Sequence, residues 1–255
     1  MVRKDSLPEW YKTQEFILTS YRPPSNVYDS FWSIFQWHNE TLNIHTHLLA
    51  GIYYLFLYMN HSNSDSESDT MSWEHSFLWI ISHMGPMVMA FGSAFAHTFH
   101  IVDPRWSMIV WRIDFAGIIC VNLSHYALDA LLLTKMLELD LLPYLLAHIV
   151  FGARCLWDIS IGVGHHWGIH YPLISLPFTG LNLLLALRGT TPQLYTACMY
   201  SCLCSIYMII AATFFIGKVP ERFFSGFDLM GSHTFHHLFI LASIAAGRKG
   251  AIILR

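Results

Sequence analysis

Charged side chains are scarce in this sequence. Asp, Glu, Lys and Arg make up 12% of its 255 residues, against about a quarter in ordinary soluble domains. No basic run is present and the net charge is -3, so we expect no nucleic-acid partner. The polar N-terminus, MVRKDSLPEWYKTQEF, has no apolar core of the kind found in signal peptides. We therefore expect no cleaved signal, and the first membrane helix would direct insertion.

Cysteine is also sparse, with five residues in the chain. Three of them, Cys198, Cys202 and Cys204, fall within one apolar run. Small side chains in such a run commonly pack between membrane helices. Their position argues against a disulfide framework.

Apolar residues are abundant, at 54% of the chain. They form seven stretches of roughly 17–26 residues, each long enough to cross about 30 Å of hydrocarbon as a helix. The predicted fold class is an all-α membrane protein, a seven-transmembrane helix bundle. Residues 1–42 are predicted to be an N-terminal cytosolic or interfacial segment, and 248–255 a short C-terminal tail. The bundle itself is expected over 43–247, with spans at 43–59, 75–99, 108–133, 141–157, 169–187, 194–216 and 227–247.

The distribution of Lys and Arg predicts the orientation of the bundle. Eight of these residues lie in segments on the N-terminal side of the membrane and five on the opposite side, and the acidic segment 60–74 has none. Because cytosolic segments carry the excess of positive charge, we expect the N-terminus in the cytosol. The chain is expected in the plasma membrane or in an endomembrane such as the Golgi.

The last span opens with three histidines, His233, His236 and His237. Ionisable side chains at membrane depth are costly and normally face the interior of a bundle, where they find partners. His233 and His237 are four residues apart, so a helix presents them on nearly the same face. Two imidazoles placed in this way are half of a zinc site, provided that another segment supplies a third ligand.

The direction of successive spans brings further polar residues to the same depth. Ser93 and His97 lie near the end of the second span, and Asp114 lies near the start of the third. The end of the second span and the starts of the third and seventh must share one membrane face. Three imidazoles with one open position are the ligands of a catalytic zinc, and a nearby carboxylate can deprotonate its water.

Each of these residues also has a simpler interpretation when it is taken alone. Asp114 can be a hydrogen-bond partner between helices, Ser93 a packing residue, and His97 an interfacial histidine. Only the coincidence of all of them at one depth favours a metal site with His97, His233 and His237 as ligands. Neighbouring His236 could compete as a ligand if the helix were rotated.

Three residues at or near the start of the first span are not predicted to be metal ligands. Glu40 and Asn43 are expected to position the N-terminal segment against the bundle rather than to do chemistry. His47, in the first span, lies on the same membrane side as the histidine group. It either lines the mouth of the site or makes an interfacial hydrogen bond.

Four runs of this sequence resemble the progestin and adipoQ receptor family, which includes the adiponectin receptors and the membrane progestin receptors. The resemblance extends from Phe16 to Ala246. The chain departs from the family pattern at His45, where Trp is usual, and at Thr234, where Gln is usual. The runs that carry the resemblance are SIFQWHNETLNIHTHLL, SAFAHTF, RIDFAG and KVPERFFSGFDLMGSHTFHHLF.

The resemblance implies a seven-helix bundle with a cytosolic N-terminus. The zinc histidines of the family correspond to His97, His233 and His237. Its serine and aspartate correspond to Ser93 and Asp114, with the aspartate near the metal-bound water. Adiponectin-receptor members are linked to hydrolysis of ceramide-type amides.

Two main functions are compatible with these residues. In the first, the protein is a membrane-embedded zinc amidohydrolase in which Asp114 and Ser93 are catalytic and the substrate is a membrane lipid. In the second, zinc is structural and the bundle is a receptor for a steroid or a protein hormone. A third possibility is an endomembrane scaffold that retains a partner protein.

Overall fold

The protein is represented by a computed structural model that describes residues 1–64, 73–163, 176–224 and 226–254. Within these residues it is all-helical, and its only β-type pairing is an isolated bridge between Val2 and Tyr21. The predicted class, an all-α membrane protein with a seven-helix bundle, is confirmed. The helices are α1 (Val27–Trp32), α2 (Thr41–Ser64), α3 (Trp73–Phe99), α4 (Pro104–Leu137), α5 (Leu142–Ser160), α6 (Leu176–Leu187), α7 (Pro192–Gly217) and α8 (Ser232–Ile253).

Helices α2 to α8 correspond to the seven predicted spans. Most of the acidic segment 60–74 and the first part of the fifth span, 169–175, lie outside the described residues. Within the part of the chain that the structure describes, four stretches are suited by length and composition to cross a membrane, and α6 is a shorter apolar helix. The apolar runs of α2 and α8 are interrupted by histidine and other polar side chains that point into the bundle. The four stretches are Ser76–Phe99, Pro104–Leu137, Leu142–Ser160 and Pro192–Gly217.

Two helix starts follow directly from local side-chain chemistry. Asp103 precedes α4 and accepts hydrogen bonds from the backbone N–H groups of Arg105 at 2.7 Å and Trp106 at 2.9 Å. Because this carboxylate satisfies free N–H groups, α4 starts at Pro104, four residues before the predicted position. The predicted start of α7 is confirmed, with Thr191 as the cap and Pro192 in the first turn.

The bounds of α8 differ from the sequence prediction at both ends. Its start lies at Ser232 rather than 227, because Glu221 accepts hydrogen bonds from the backbone N–H and the hydroxyl of Ser232. The helix continues to Ile253, through residues that were predicted to be a tail. Arg248 is accommodated within it because its Nε donates to His83 Nε2 of α3 at 3.3 Å.

Helix α4 is the central helix of the bundle. It packs against α3, α5, α6, α7 and α8. Its contact with α3 is close because glycine occupies the crossing point, and a Cβ on Gly117 would lie 2.8 Å from Met89 Cα. This crossing holds the C-terminal half of α3 against the N-terminal half of α4.

The N-terminal residues 1–40, here called the N-terminal cap, fold over one end of the bundle. Tyr11, Ile17 and Tyr21 form a small apolar cluster with Ile101, which follows α3. Asp228, in the segment before α8, accepts hydrogen bonds from the N–H and the hydroxyl of Thr19. The segment predicted to lie along the membrane surface is therefore joined to the ends of α3 and α8.

Arg22 anchors this cap and is only 2% exposed. Its guanidinium donates to the backbone carbonyls of His97 at 2.5 Å and Thr98 at 3.1 Å, and to Ser33 Oγ at 2.7 Å. These carbonyls belong to the last turn of α3, where free acceptors and the helix dipole favour a cation. The cap thereby fixes the end of the helix that carries His97.

The close crossing of α3 and α4 yields a stability prediction. Gly117→Ala should destabilise the bundle by about 1–3 kcal/mol, because the new methyl group meets backbone that cannot move aside. Gly180→Ala in α6 is the matched control, since no atom lies within 4 Å of its added Cβ. Thermal unfolding in detergent measures both variants. Equal unfolding temperatures would show that the crossing is looser than described.

Candidate metal centre

The end of the bundle under the N-terminal cap brings the three predicted ligands together. His97 lies in the last turn of α3, and His233 and His237 lie in the first turns of α8. One ring nitrogen from each lies within 4.8 Å of the others. Among the described residues, this is the one group of three or more His, Cys, Asp or Glu side chains close enough to hold a metal ion.

Two ring nitrogens of this group have no partner among the described residues. Nε2 of His97 and Nε2 of His233 are buried and accept or donate no hydrogen bond within the described structure. His237 has one long contact, from Nδ1 to Thr46 Oγ1 at 3.5 Å. Buried polar atoms are normally paired, and several unpaired imidazoles facing one another are explained by a shared ion. The residues therefore fit a metal, and an all-imidazole donor set is suited to zinc.

Glu40 holds the ring of His97. Its Oε2 accepts a hydrogen bond from His97 Nδ1 at 2.8 Å and another from Asn43 Nδ2 at 2.7 Å. Protonation of Nδ1 leaves the lone pair on Nε2, the nitrogen that faces the histidine group. A carboxylate behind a ligating histidine commonly fixes its tautomer and its orientation in this way.

From the sequence, Glu40 and Asn43 are expected only to position the N-terminal segment. The structure shows that Glu40 positions a candidate metal ligand 57 residues away. No spacing pattern in the sequence predicts such a contact. The acidic residue just before a membrane span was nevertheless a signal that this side chain has a buried partner. Asn43 also accepts a hydrogen bond from Thr234 at 2.7 Å. Thr234, which stands where the family usually has Gln, therefore links α8 to α2.

Ser93 and Asp114 lie beside the histidine group and outside its ligand set. Both are buried, and the Asp114 carboxyl lies within electrostatic range of His97 and Lys12, while Ser93 Oγ has no hydrogen-bond partner in the described structure. The Lys12 ammonium, from the N-terminal cap, also lies 5.0 Å from the centre of the Trp111 ring. A buried carboxyl near His97 but outside the ligand set suits proton transfer more than ligation.

The two remaining histidines near the group have different surroundings. His236 turns toward α7, where its Nδ1 contacts the Ala211 carbonyl oxygen at 3.1 Å. This contact supports its exclusion from the ligand set. His47 of α2 stacks on His237, with ring centres 3.6 Å apart, and its buried nitrogens have no partner in the described structure. Of the two expectations for His47, the geometry favours a place in the wall of the site.

The geometry of the group predicts the effect of each histidine on metal content. His97→Ala, His233→Ala and His237→Ala should each reduce bound zinc and lower the unfolding temperature, because metal binding energy contributes to folding. His236→Ala, the control within the same helix turn, should keep its zinc. Metal content is measured by mass spectrometry on purified protein. Full zinc content in the triple variant would contradict the assignment.

The Glu40–His97 hydrogen bond predicts a graded loss of zinc affinity. Glu40→Ala should weaken zinc binding about 10–100-fold, as expected when a supporting carboxylate is lost. Glu40→Gln keeps an acceptor for Nδ1–H and should have an intermediate effect. Titration with a competing chelator measures the affinity, and Glu9→Gln on the exposed cap is the control. If Glu40 only packs the cap, all variants will bind zinc as the wild type does.

Comparison with known proteins identifies the family of this chain. A family model described as "Haemolysin-III related" matches residues 35–246. The chain is 25% identical to Heptahelical transmembrane protein 1 of Arabidopsis thaliana, over 97% of this chain and 79% of that protein. It is 24% identical to the Adiponectin receptor protein of Drosophila melanogaster, over 93% and 56% of the two chains. It is 23% identical to Membrane progestin receptor beta of Homo sapiens, over 94% and 72%. The chain therefore belongs to the haemolysin-III-related family of integral membrane proteins, and its similarity to progestin and adipoQ receptors is confirmed.

Proposed function

We propose that this protein is a membrane-embedded, zinc-dependent hydrolase of lipid amides such as ceramide. The observation that carries the proposal is the set of three imidazoles with closely spaced nitrogens, two of which are buried and unpaired, together with the buried carboxyl of Asp114. Three histidine ligands leave a coordination position for water or substrate, which is the pattern of catalytic zinc sites. When bound, zinc polarises a carbonyl group and makes water nucleophilic near neutral pH.

The side chains of the centre have separate tasks in this reaction. His97, His233 and His237 hold the metal, and Glu40 keeps His97 in the tautomer that can bind it. The carboxylate of Asp114 accepts a proton from the attacking water and can return it to the departing amine. Ser93, which lies one turn before His97 on α3, would orient that carboxylate.

Apolar surface next to the centre suits a lipid substrate. Phe95 of α3 and Ile109 and Ile113 of α4 are partly exposed on the two helices that carry Ser93 and Asp114. Their side chains offer a surface on which an acyl chain can lie while its amide reaches the buried carboxylate. A soluble polar substrate would gain nothing from this surface.

The orientation of the bundle is part of the proposal. Lys4, Lys12 and Arg22 of the N-terminal cap, together with Lys218 and Arg222 before α8, lie at the end of the bundle that carries the centre. An excess of positive charge at this end supports a cytosolic location for the cap and for the reaction. The proposal applies to the plasma membrane and to endomembranes alike.

The second candidate is a receptor in which the metal is structural. It is supported by the way that the histidines join α3 to α8 while Asn43 and Thr234 join α2 to α8. A metal at this junction can tie helices together without any reaction. The relatives named as adiponectin and progestin receptors make a steroid or a protein hormone the ligand to test for this candidate.

Asp114 distinguishes the two candidates. Asp114→Asn keeps nearly the same volume and leaves all three histidines intact, so bound zinc should be retained. Loss of the general base should lower lipid-amide hydrolysis by about 10²–10⁴-fold. The assay follows release of fatty acid from ceramides of several chain lengths by protein reconstituted in liposomes, with zinc content measured in parallel.

Asp5→Asn is the control, because Asp5 is an exposed cap residue paired with Arg3. It should leave hydrolysis unchanged. Turnover by Asp114→Asn at the wild-type rate would remove the aspartate from the mechanism. Absence of turnover by zinc-loaded wild type on all of these ceramides would reject the hydrolase and favour the receptor.

A further inference from the structure

A second buried carboxylate lies far from the candidate metal centre. Asp129 of α4 follows Asp114 by fifteen residues, which places it about 22 Å further along the helix. It is 3% exposed. Its carboxylate accepts hydrogen bonds from Thr179 Oγ1 of α6 at 2.7 Å and from the Ser201 hydroxyl of α7. The side chain thus joins three helices in the opposite half of the bundle.

The negative charge of Asp129 has no cationic partner. Among the described residues, no Lys, Arg or His forms an ion pair with this carboxylate. His125 lies one helical turn earlier on the same face, but its ring makes no hydrogen bond to any described residue. A carboxylate at membrane depth is costly and is normally paired or functional. Two neutral hydroxyl groups do not neutralise it.

A small cavity adjoins this carboxylate. The space open to the centre of a water-sized sphere is about 10 Å³, close to the minimum that holds one water molecule. This volume excludes a lipid, a steroid or a peptide, and it accommodates a water molecule or a small ion. Its wall combines the apolar side chains of Leu128, Leu176 and Met208 with the polar residues Asn122, His125, Asp129, Ser201, Cys204 and Ser205.

The donor atoms around the cavity are mostly oxygens. Ser201 donates its hydroxyl hydrogen to Asp129, but its oxygen keeps lone pairs for another partner. Ser205, which also lines the cavity, adds a further hydroxyl oxygen. Asn182 is not part of the cavity wall but contacts the backbone of Asp129. Its amide nitrogen donates to the Asp129 backbone carbonyl at 2.9 Å, while its buried Oδ1 has no partner in the described structure.

These groups do not suit a transition metal. His125, Asp129 and Cys204 all line the cavity, yet they do not form a group with closely spaced ligand atoms, as the three histidines of the other centre do. Oxygen ligands select hard cations. A single carboxylate neutralises one positive charge, whereas a divalent ion would leave an excess charge in the low-dielectric interior.

We propose that the cavity beside Asp129 binds one partly dehydrated monovalent alkali cation, for which Na⁺ is the probe. The cation would be held by the Asp129 carboxylate with the hydroxyl oxygens of Ser201 and Ser205, which also line the cavity. It would supply the missing countercharge and join α4 to α7. This site is independent of the proposed hydrolase activity, because it lies in the other half of the bundle and shares no residue with the histidine centre.

The test measures stability and binding of purified full-length protein in detergent. Replacing choline chloride by NaCl at constant ionic strength should raise the unfolding temperature of the wild type by roughly 5 °C at saturation. Asp129→Asn should remove this sodium response. Asp140→Asn, the same substitution at an exposed loop position, should keep it. Equilibrium binding of ²²Na⁺ should show about one site in the wild type and none in Asp129→Asn.

Ser201→Ala provides a second route if Asp129→Asn fails to fold. It keeps the carboxylate and removes one hydroxyl, so the sodium concentration needed for half of the response should rise several-fold. The proposal is overturned if wild-type stability is equal in NaCl and choline chloride and no ²²Na⁺ binds. It is also overturned if Asp129→Asn keeps the sodium response. None of these readouts depends on hydrolysis.

Discussion

Unpaired imidazole nitrogens buried between α3 and α8 are the constraint on which one end of this bundle depends. Nε2 atoms of His97 and His233 have no protein partner in the described structure, and each such atom costs about 1–3 kcal/mol if nothing binds it. One metal ion can satisfy them together. Because the ligands come from helices far apart in sequence, binding at this point also contributes to the free energy of folding.

The N-terminal cap is part of the same centre. Arg22 binds the backbone carbonyl of His97, and Glu40 binds its ring nitrogen, so one residue is held from two sides. Burial lowers the pKa of neighbouring His38 to about 3. His38 is therefore neutral, and its Nδ1 accepts a hydrogen bond from the backbone N–H of Glu40 at 3.1 Å. The N-terminal cap and the candidate metal centre are joined by these hydrogen bonds. The bonds explain why the charged segment before the first span folds against the bundle.

The sequence was sufficient to predict the helices and to predict that the three histidines lie at one membrane face, for a physical reason. Successive membrane helices alternate in direction, so residues near the end of α3 and the start of α8 must share a membrane face. It was not sufficient for Glu40 and Arg22, whose contacts with His97 follow from how the cap folds back rather than from any periodicity. The bounds of α8 were missed because Glu221 and His83, the side chains that satisfy Ser232 and Arg248, lie on other segments. Asp129 was overlooked because its partners come from α6 and α7.

The two buried aspartates of α4 show how neighbours determine what one side chain does. Helix α4 is the central helix of the bundle, so both carboxylates are withdrawn from water. Asp114 lies within electrostatic range of His97 and Lys12, two groups that can carry a proton. Asp129 is bonded to the hydroxyls of Thr179 and Ser201, which carry no charge. In the proposed reaction the first carboxylate exchanges a proton with water, whereas the second keeps a charge that the proposed cation would balance. Proton transfer and cation binding can therefore occur on one helix, because about 22 Å of bundle separates the two carboxylates.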